Sequence, residues 1–191
     1  MRKLTSFTFL TLNGFYKGLN KYTGWHHQLN SKEAADYAAN SSSSGNALLF
    51  GRKTYDMMAG FWPSPQAAAA FPTVAENMNK AQKFVFSTSL KSAAWQNTSI
   101  LSGDIIEQVK QLKQSSGNEM TILGSGSIVS QLADAGLIDE YHITLDPVIL
   151  GQGTPIFSNI NTNRRLKLKS SRLFEQDGIL LLVYENLDIL Q

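Results

Sequence analysis

Residues 121–136, TILGSGSIVSQLADAG, run a β-branched segment into two glycines and straight on into an apolar helix-period pattern. Ile128, Val129 and Leu132 share one helical face, and Gly136 suits the residue just past a helix C-terminus. The same handover from strand to helix recurs: NALLF stops at Gly51 before a helical stretch over 53–59, and KFVF stops at Ser87. Ile105, Ile106, Val109 and Leu112 mark a further helical face. Strands therefore alternate with helices over roughly the first 135 positions, and after Leu137 strands follow strands. That order predicts a single α/β domain over 1–191, with a mostly parallel mixed sheet flanked by helices and antiparallel C-terminal strands.

Residues 2–12 alternate Phe with Thr and Ser and read as the first strand, closed by Asn13-Gly14. The stretch from there to Asn30 reads as loop, and Ser31 caps a helix that contains Glu33, Ala34, Ala35 and Tyr37. Pro63, Pro65 and Pro72 surround an alanine run, followed by a helix over 74–81. Further strands are expected at 83–87, 99–101, 120–123, 141–146, 147–150, 165–174 and 179–184. Asp177-Gly178 supplies the hairpin between the last two.

The net charge of +2 gives no footing for nucleic acid as a main partner. The absence of cysteine rules out disulfides and thiolate chemistry, and a cytoplasmic setting is expected. No run of about 18 apolar residues predicts a membrane span. His26-His27 lacks a third ligand at metal-binding spacing, so no metal site is expected.

Three strand ends carry residues suited to a ligand. Gly51-Arg52-Lys53-Thr54 places a bare backbone, two cations and a hydroxyl at a helix start, a ready anion site. Gly124-Ser125-Gly126-Ser127-Ile128 offers free amides and two hydroxyls, but Val129 replaces the third glycine of a dinucleotide fingerprint. Ser87-Thr88-Ser89 ends a strand in hydroxyls. Each has a plain alternative as a turn. Open α/β sheets bind ligands at the carboxyl ends of their strands, and all three stretches lie there. No GxSxG elbow accompanies the serines, which argues against an acyl-transfer hydrolase.

TLNGFYKG, LLFGRKTYDMMAGFW, KFVFSTSL and MTILGSGSIVSQLADAGLIDEYHITLDPVILGQGTPIF together resemble the dihydrofolate-reductase-like superfamily. They are most similar to the C-terminal reductase branch of the bifunctional riboflavin-biosynthesis deaminase-reductase. The resemblance implies NADPH, with NADH as the alternative, and hydride transfer to a small heterocyclic or sugar-imine substrate of pterin or aminopyrimidine type. It implies cofactor contacts from Leu12, Asn13 and Gly14 beside the nicotinamide. Gly51, Arg52, Lys53 and Thr54 match the segment that holds cofactor phosphates, and Ser87 and Thr88 the strand end near the adenosine ribose. Gly124, Ser125, Gly126, Ser127 and Ile128 match the helix start under the pyrophosphate. Thr144 matches a position facing the substrate, and Trp62 is a candidate roof for the pocket. A homodimer through the strand-rich C-terminal half is implied as well.

Two departures stand out. Asn13 replaces the aspartate usual in that branch, which removes a possible polar anchor, and STSL lacks the arginine often used for a 2′-phosphate. The proton donor is open among Asp36, Glu33, Asp146 and water, with Asp36 read as solvent-facing. His142 is read as a hydrogen-bonded structural histidine. The competing reading is a catalytically silent nucleotide-binding protein with the same pocket.

Overall fold

The computed structural model describes residues 1–26 and 31–189. Among the described residues, ten strands and six α-helices follow one another. The first third comprises β1 (Leu4–Thr11), β2 (Phe15–Gly18), α1 (Lys32–Ser42), β3 (Ala47–Gly51) and α2 (Arg52–Phe61). The middle comprises α3 (Pro65–Ala70), α4 (Pro72–Lys80), β4 (Lys83–Phe86), β5 (Thr98–Leu101), α5 (Ile105–Gln114), β6 (Met120–Leu123) and α6 (Gly126–Asp134). The last part is all strand: β7 (Glu140–Asp146), β8 (Gly153–Pro155), β9 (Arg164–Phe174) and β10 (Ile179–Ile189).

Eight strands form one sheet in the order β5-β4-β3-β6-β1-β7-β10-β9. The first six are parallel, and β10 runs antiparallel to both β7 and β9. The helix connections explain the parallel half, since a parallel pair needs a crossover. The tight turn at Asp177-Gly178 explains the antiparallel half: Gly178 takes φ +67° and its N–H donates to the Phe174 carbonyl.

Side-chain alternation divides the core. On one face Leu4, Leu10, Leu49, Met120, Ile122 and Ile143 pack under Val109 of α5 and Ile128, Val129 and Leu132 of α6. On the other, Leu48, Phe50 and Val85 meet Tyr55 of α2 and Met78 of α4, while Phe7, Leu181 and Val183 meet Ala34 and Tyr37 of α1. Burying each such aliphatic side chain contributes about 1.5–3 kcal/mol.

Local differences from the sequence expectation have identifiable causes. Residues 147–150 form no strand; Leu12 donates to the Val148 carbonyl, and the extended pairing is made further on, where β8 joins β2. The 13–30 stretch is therefore not all loop, because β2 and a short 3-10 turn (Leu19–Lys21) lie within it. The alanine run is helical as α3, started by Pro65 and capped by the Ser64 hydroxyl. His27 and Asn30, the second half of the histidine pair and the expected end of the loop, lie outside the described residues.

Candidate active site

The parallel strands end side by side. Along one edge of the sheet stand Ser87 after β4, Gly51 ending β3, Gly124 after β6, Thr11 ending β1 and Asp146 ending β7. Two helices start at this edge, α2 at Arg52 and α6 at Gly126.

The two starts are tied together. The Gly51 amide donates to the Ser125 hydroxyl at 2.8 Å, and a Cβ on Gly51 would come within 3.2 Å of Ile128. A Cβ on Gly124 would touch Thr54 at 3.5 Å. Gly51, Thr54, Gly124, Ser125 and Ile128, read from two distant motifs, thus form one cluster. Gly124 and Ser125 are both left-handed, with φ of +56° and +57°. Glycine takes that conformation freely; for serine it costs about 1–2 kcal/mol, and such strain collects at functional sites. It turns the chain so that the first amides of α6, which have no partner inside the helix, face the edge. Gly126 is held under the ring of Tyr16, which a Cβ would meet at 2.4 Å. A cavity of about 190 Å³ opens beside it, lined by Tyr16, Ser127, Ser130, Thr154 and Ser158 among others.

The β1–β2 turn closes over this edge. The Asn13 carboxamide accepts from the Thr11 hydroxyl at 2.9 Å and donates to the Leu150 carbonyl at 2.8 Å. Asn13 is therefore itself the polar anchor, through an N–H that an aspartate lacks. Leu12 is exposed beside it, and Gly14 takes φ +82°.

Other candidates are placed differently. Arg52 donates to Asp56 at 2.7 Å across one helical turn, leaving Lys53 as the exposed cation at the start of α2. The Ser87 hydroxyl accepts from the amides of Ser89 and Leu90, forming the turn, while Thr88 is exposed. Trp62 follows the last residue of α2, about 15 Å along the helix from Gly51, and packs on Phe61 and Phe71. It does not join the edge. Asp36 is exposed and bonds Lys32 at 2.6 Å; Glu33 bonds Arg172 at 3.0 Å. His142 bonds Glu140 at 2.6 Å.

Thr144 and Asp146 lie on the α1 side of β7, in register with Phe9 and Thr11 of β1. Both are buried, and Asp146 is wholly inaccessible. Burial pushes the Asp146 carboxyl up to about 7; Asp177 pushes the same way and the Thr144 hydroxyl pulls back. Sequence patterning missed what surrounds them. The His26 ring stacks on Phe9 at 4.7 Å, and Trp25, edge-on to His26, is buried. The alternation of β1 carried the signal, since it sets Phe9 on the face of Thr144.

A roomier hollow of about 460 Å³ lies at the opposite edge, between Ser42, Asn77, Gln82 and Asn118. Two of its amides are spent on neighbours: Asn77 on Ser42 and Ser43, Asn118 on Gly45. No cluster of three or more metal-ligating side chains occurs among the described residues, nor any helix long and apolar enough to cross a membrane.

The sequence model of the RibD C-terminal domain matches residues 2–180. The chain belongs to the RibD C-terminal domain family. The uncharacterized protein YyaP of Bacillus subtilis (strain 168) is 27% identical over 176 residues, 92% of this chain and 90% of that protein. A putative riboflavin biosynthesis protein from Shewanella sp. PV-4 superposes with a TM-score of 0.76 at 19% identity, over 98% of this chain and all of that one. A Thermotoga maritima diaminohydroxyphosphoribosylaminopyrimidine deaminase/5-amino-6-(5-phosphoribosylamino)uracil reductase gives 0.64 at 14% identity. There the match covers 97% of this chain but 57% of the other. The RibD C-terminal fold is thus the mixed sheet that the motifs led us to expect.

Proposed function

We propose that this chain is a reductase that binds NADPH along the carboxyl edge of its sheet and reduces a small heterocyclic or sugar-imine substrate of aminopyrimidine type. One observation carries the reading: two helix N-termini, at Arg52 and Gly126, are drawn to one spot by the bond between Gly51 and Ser125. Two positive dipole ends with unpartnered amides favour a pyrophosphate. The residues suit such a group, since Gly124 leaves bare backbone and Thr54, Ser127 and Lys53 add hydroxyls and a cation.

When bound, the nicotinamide supplies the hydride. The chain's part is to fix the phosphates, to hold the β1–β2 turn closed through Asn13, and to keep water from the reacting face. Arg52 can meet a 2′-phosphate if it leaves Asp56; Arg52→Ala then weakens NADPH more than NADH. The names of the relatives, a riboflavin-biosynthesis protein and a deaminase/reductase, support the substrate class.

The same reading makes the protein a cytoplasmic homodimer. The edge strand β9 is exposed along most of its length, with Leu168 and Leu173 about half-exposed, and a second copy would cover them. The competing reading, a silent nucleotide-binding protein, draws on the engagement of both α1 carboxylates in surface ion pairs. Titration of the purified chain with NADPH and NADH, followed by turnover with aminopyrimidine substrates, tests the proposal. NADPH binding without turnover favours the silent form.

A further inference from the structure

The cofactor edge leaves one conspicuous group unused. Neither oxygen of the buried Asp146 carboxyl has a hydrogen-bond partner among the described residues. The Thr144 hydroxyl, two positions earlier on the same face, is buried and makes no geometrically complete hydrogen bond either, though it lies close enough to the carboxyl to pull its pKa back. The indole N–H of Trp25 is also buried without a partner, and its ring lies edge-on to His26, which stacks on Phe9. Buried polar groups nearly always find partners, and leaving a carboxyl without one costs stability. The Asp146 carboxyl, incompletely satisfied at the carboxyl end of β7, marks a place that another molecule completes.

The location fits a substrate. β6, β1 and β7 are adjacent, and strands lie about 4.8 Å apart, so Asp146 stands about 10 Å along the edge from Gly124. A ring beside the glycine turn bridges that gap. The His26–Phe9 stack lies on the same face, Phe9 standing in register with Thr144. The charged groups around Asp146 are few. Asp177 in the β9–β10 turn is bonded by the Ser31 hydroxyl, and His26 stacks on Phe9. On α1, Glu33 is paired with Arg172. No described ion pair includes Asp146.

We propose that Asp146 is the substrate-side acid of this site, bonding a ring or imine nitrogen of a nitrogen heterocycle and passing it a proton. The proposal rests on the reductase reading above. In the step, the carbon of a C=N bond accepts hydride from the reduced nicotinamide. The π pair moves to nitrogen, the Asp146 O–H bond breaks, and its proton forms the new N–H. The carboxylate left behind regains a proton from water. A carboxyl that holds its proton near neutral pH suits this exchange.

The test is calorimetric titration of the full-length wild type and Asp146→Asn with 2,4-diaminopyrimidine, alongside NADPH. Asparagine keeps the shape and removes the acid. The expected result is at least tenfold weaker pyrimidine binding in Asp146→Asn, with NADPH affinity within twofold of wild type. Equal pyrimidine affinity in the two proteins, or no saturable binding by either, overturns the proposal. Absence of NADPH binding in both proteins overturns the reductase reading itself, together with the proton step that depends on it. A second measurement needs no ligand. Wild-type stability should fall as pH rises from about 4 to about 7, because the folded carboxyl holds its proton more tightly than the unfolded one. Asp146→Asn should lack that slope, and an identical slope in both proteins counts against a buried, unpaired acid.

Discussion

The backbone N–H of Gly51 donates to the side chain of Ser125, 74 residues later, at 2.8 Å. This bond holds the starts of α2 and α6 at one point of the sheet edge, and the functional reading depends on that point. Ser125→Ala leaves the Gly51 amide without its acceptor while keeping a small side chain in the left-handed turn. We expect a loss of about 1–2 kcal/mol in urea-unfolding free energy. NADPH affinity should fall by about tenfold, the equivalent of 1.4 kcal/mol. Unchanged affinity would separate this bond from cofactor binding.

Gly126 and Tyr16 should be energetically coupled. A methyl at Gly126 would lie 2.4 Å from the Tyr16 ring, which packs against the core and must move. Gly126→Ala should destabilise by about 1–3 kcal/mol. Added to a Tyr16→Ala background it should cost much less, and thermal unfolding of the four-protein cycle measures the difference. Additive effects would show that the ring does not bear on the turn.

Glu140 should govern acid stability. Although burial pushes its carboxyl up, hydrogen bonds from Lys169, Lys3 and His142 bring it down to about 2. A folded-state value below the ordinary one contributes stability that is present above about pH 4.5 and is lost as pH falls toward 2. Half-exposed lysines weaken the effect, so we expect about 1–2 kcal/mol to vanish over that window. Glu140→Gln should flatten this part of the stability curve in urea titrations at successive pH values.

Lys83 is a buried cap. Its ammonium donates to the carbonyls of Met78, Asn79 and Ala81 at the end of α4 and lies 4.5 Å from the Trp95 ring centre. Lys83→Met keeps the stem but leaves those carbonyls short of a donor. We expect about 2–4 kcal/mol of destabilisation by chemical unfolding, with the nucleotide affinity of the folded protein unchanged.

How far the sequence reaches differs between fold and site. The helix faces at Ile105–Leu112 and Ile128–Leu132 and the strand runs before Gly51 and Gly124 were legible, because period and punctuation are local properties. The strand expected at 147–150 was misplaced: its apolar run is not buried, Ile149 being exposed, and the pairing of β8 with β2 joins segments far apart in the chain. At the site, the glycine motifs could be read singly, whereas their meeting through Gly51 and Ser125 is a tertiary fact. Asp146, Glu33 and Asp36 were equal as letters. Ion pairs on α1 occupy two of them and burial at the end of β7 isolates the third, which no spacing rule encodes.

Calorimetric titration of the full chain with NADPH tests the central claim most directly. Saturable binding of one nucleotide per chain, strongly weakened by Gly124→Val at the left-handed turn in a variant shown to be folded, is the expected result. A flat titration through millimolar nucleotide, or full affinity in the valine variant, would contradict it.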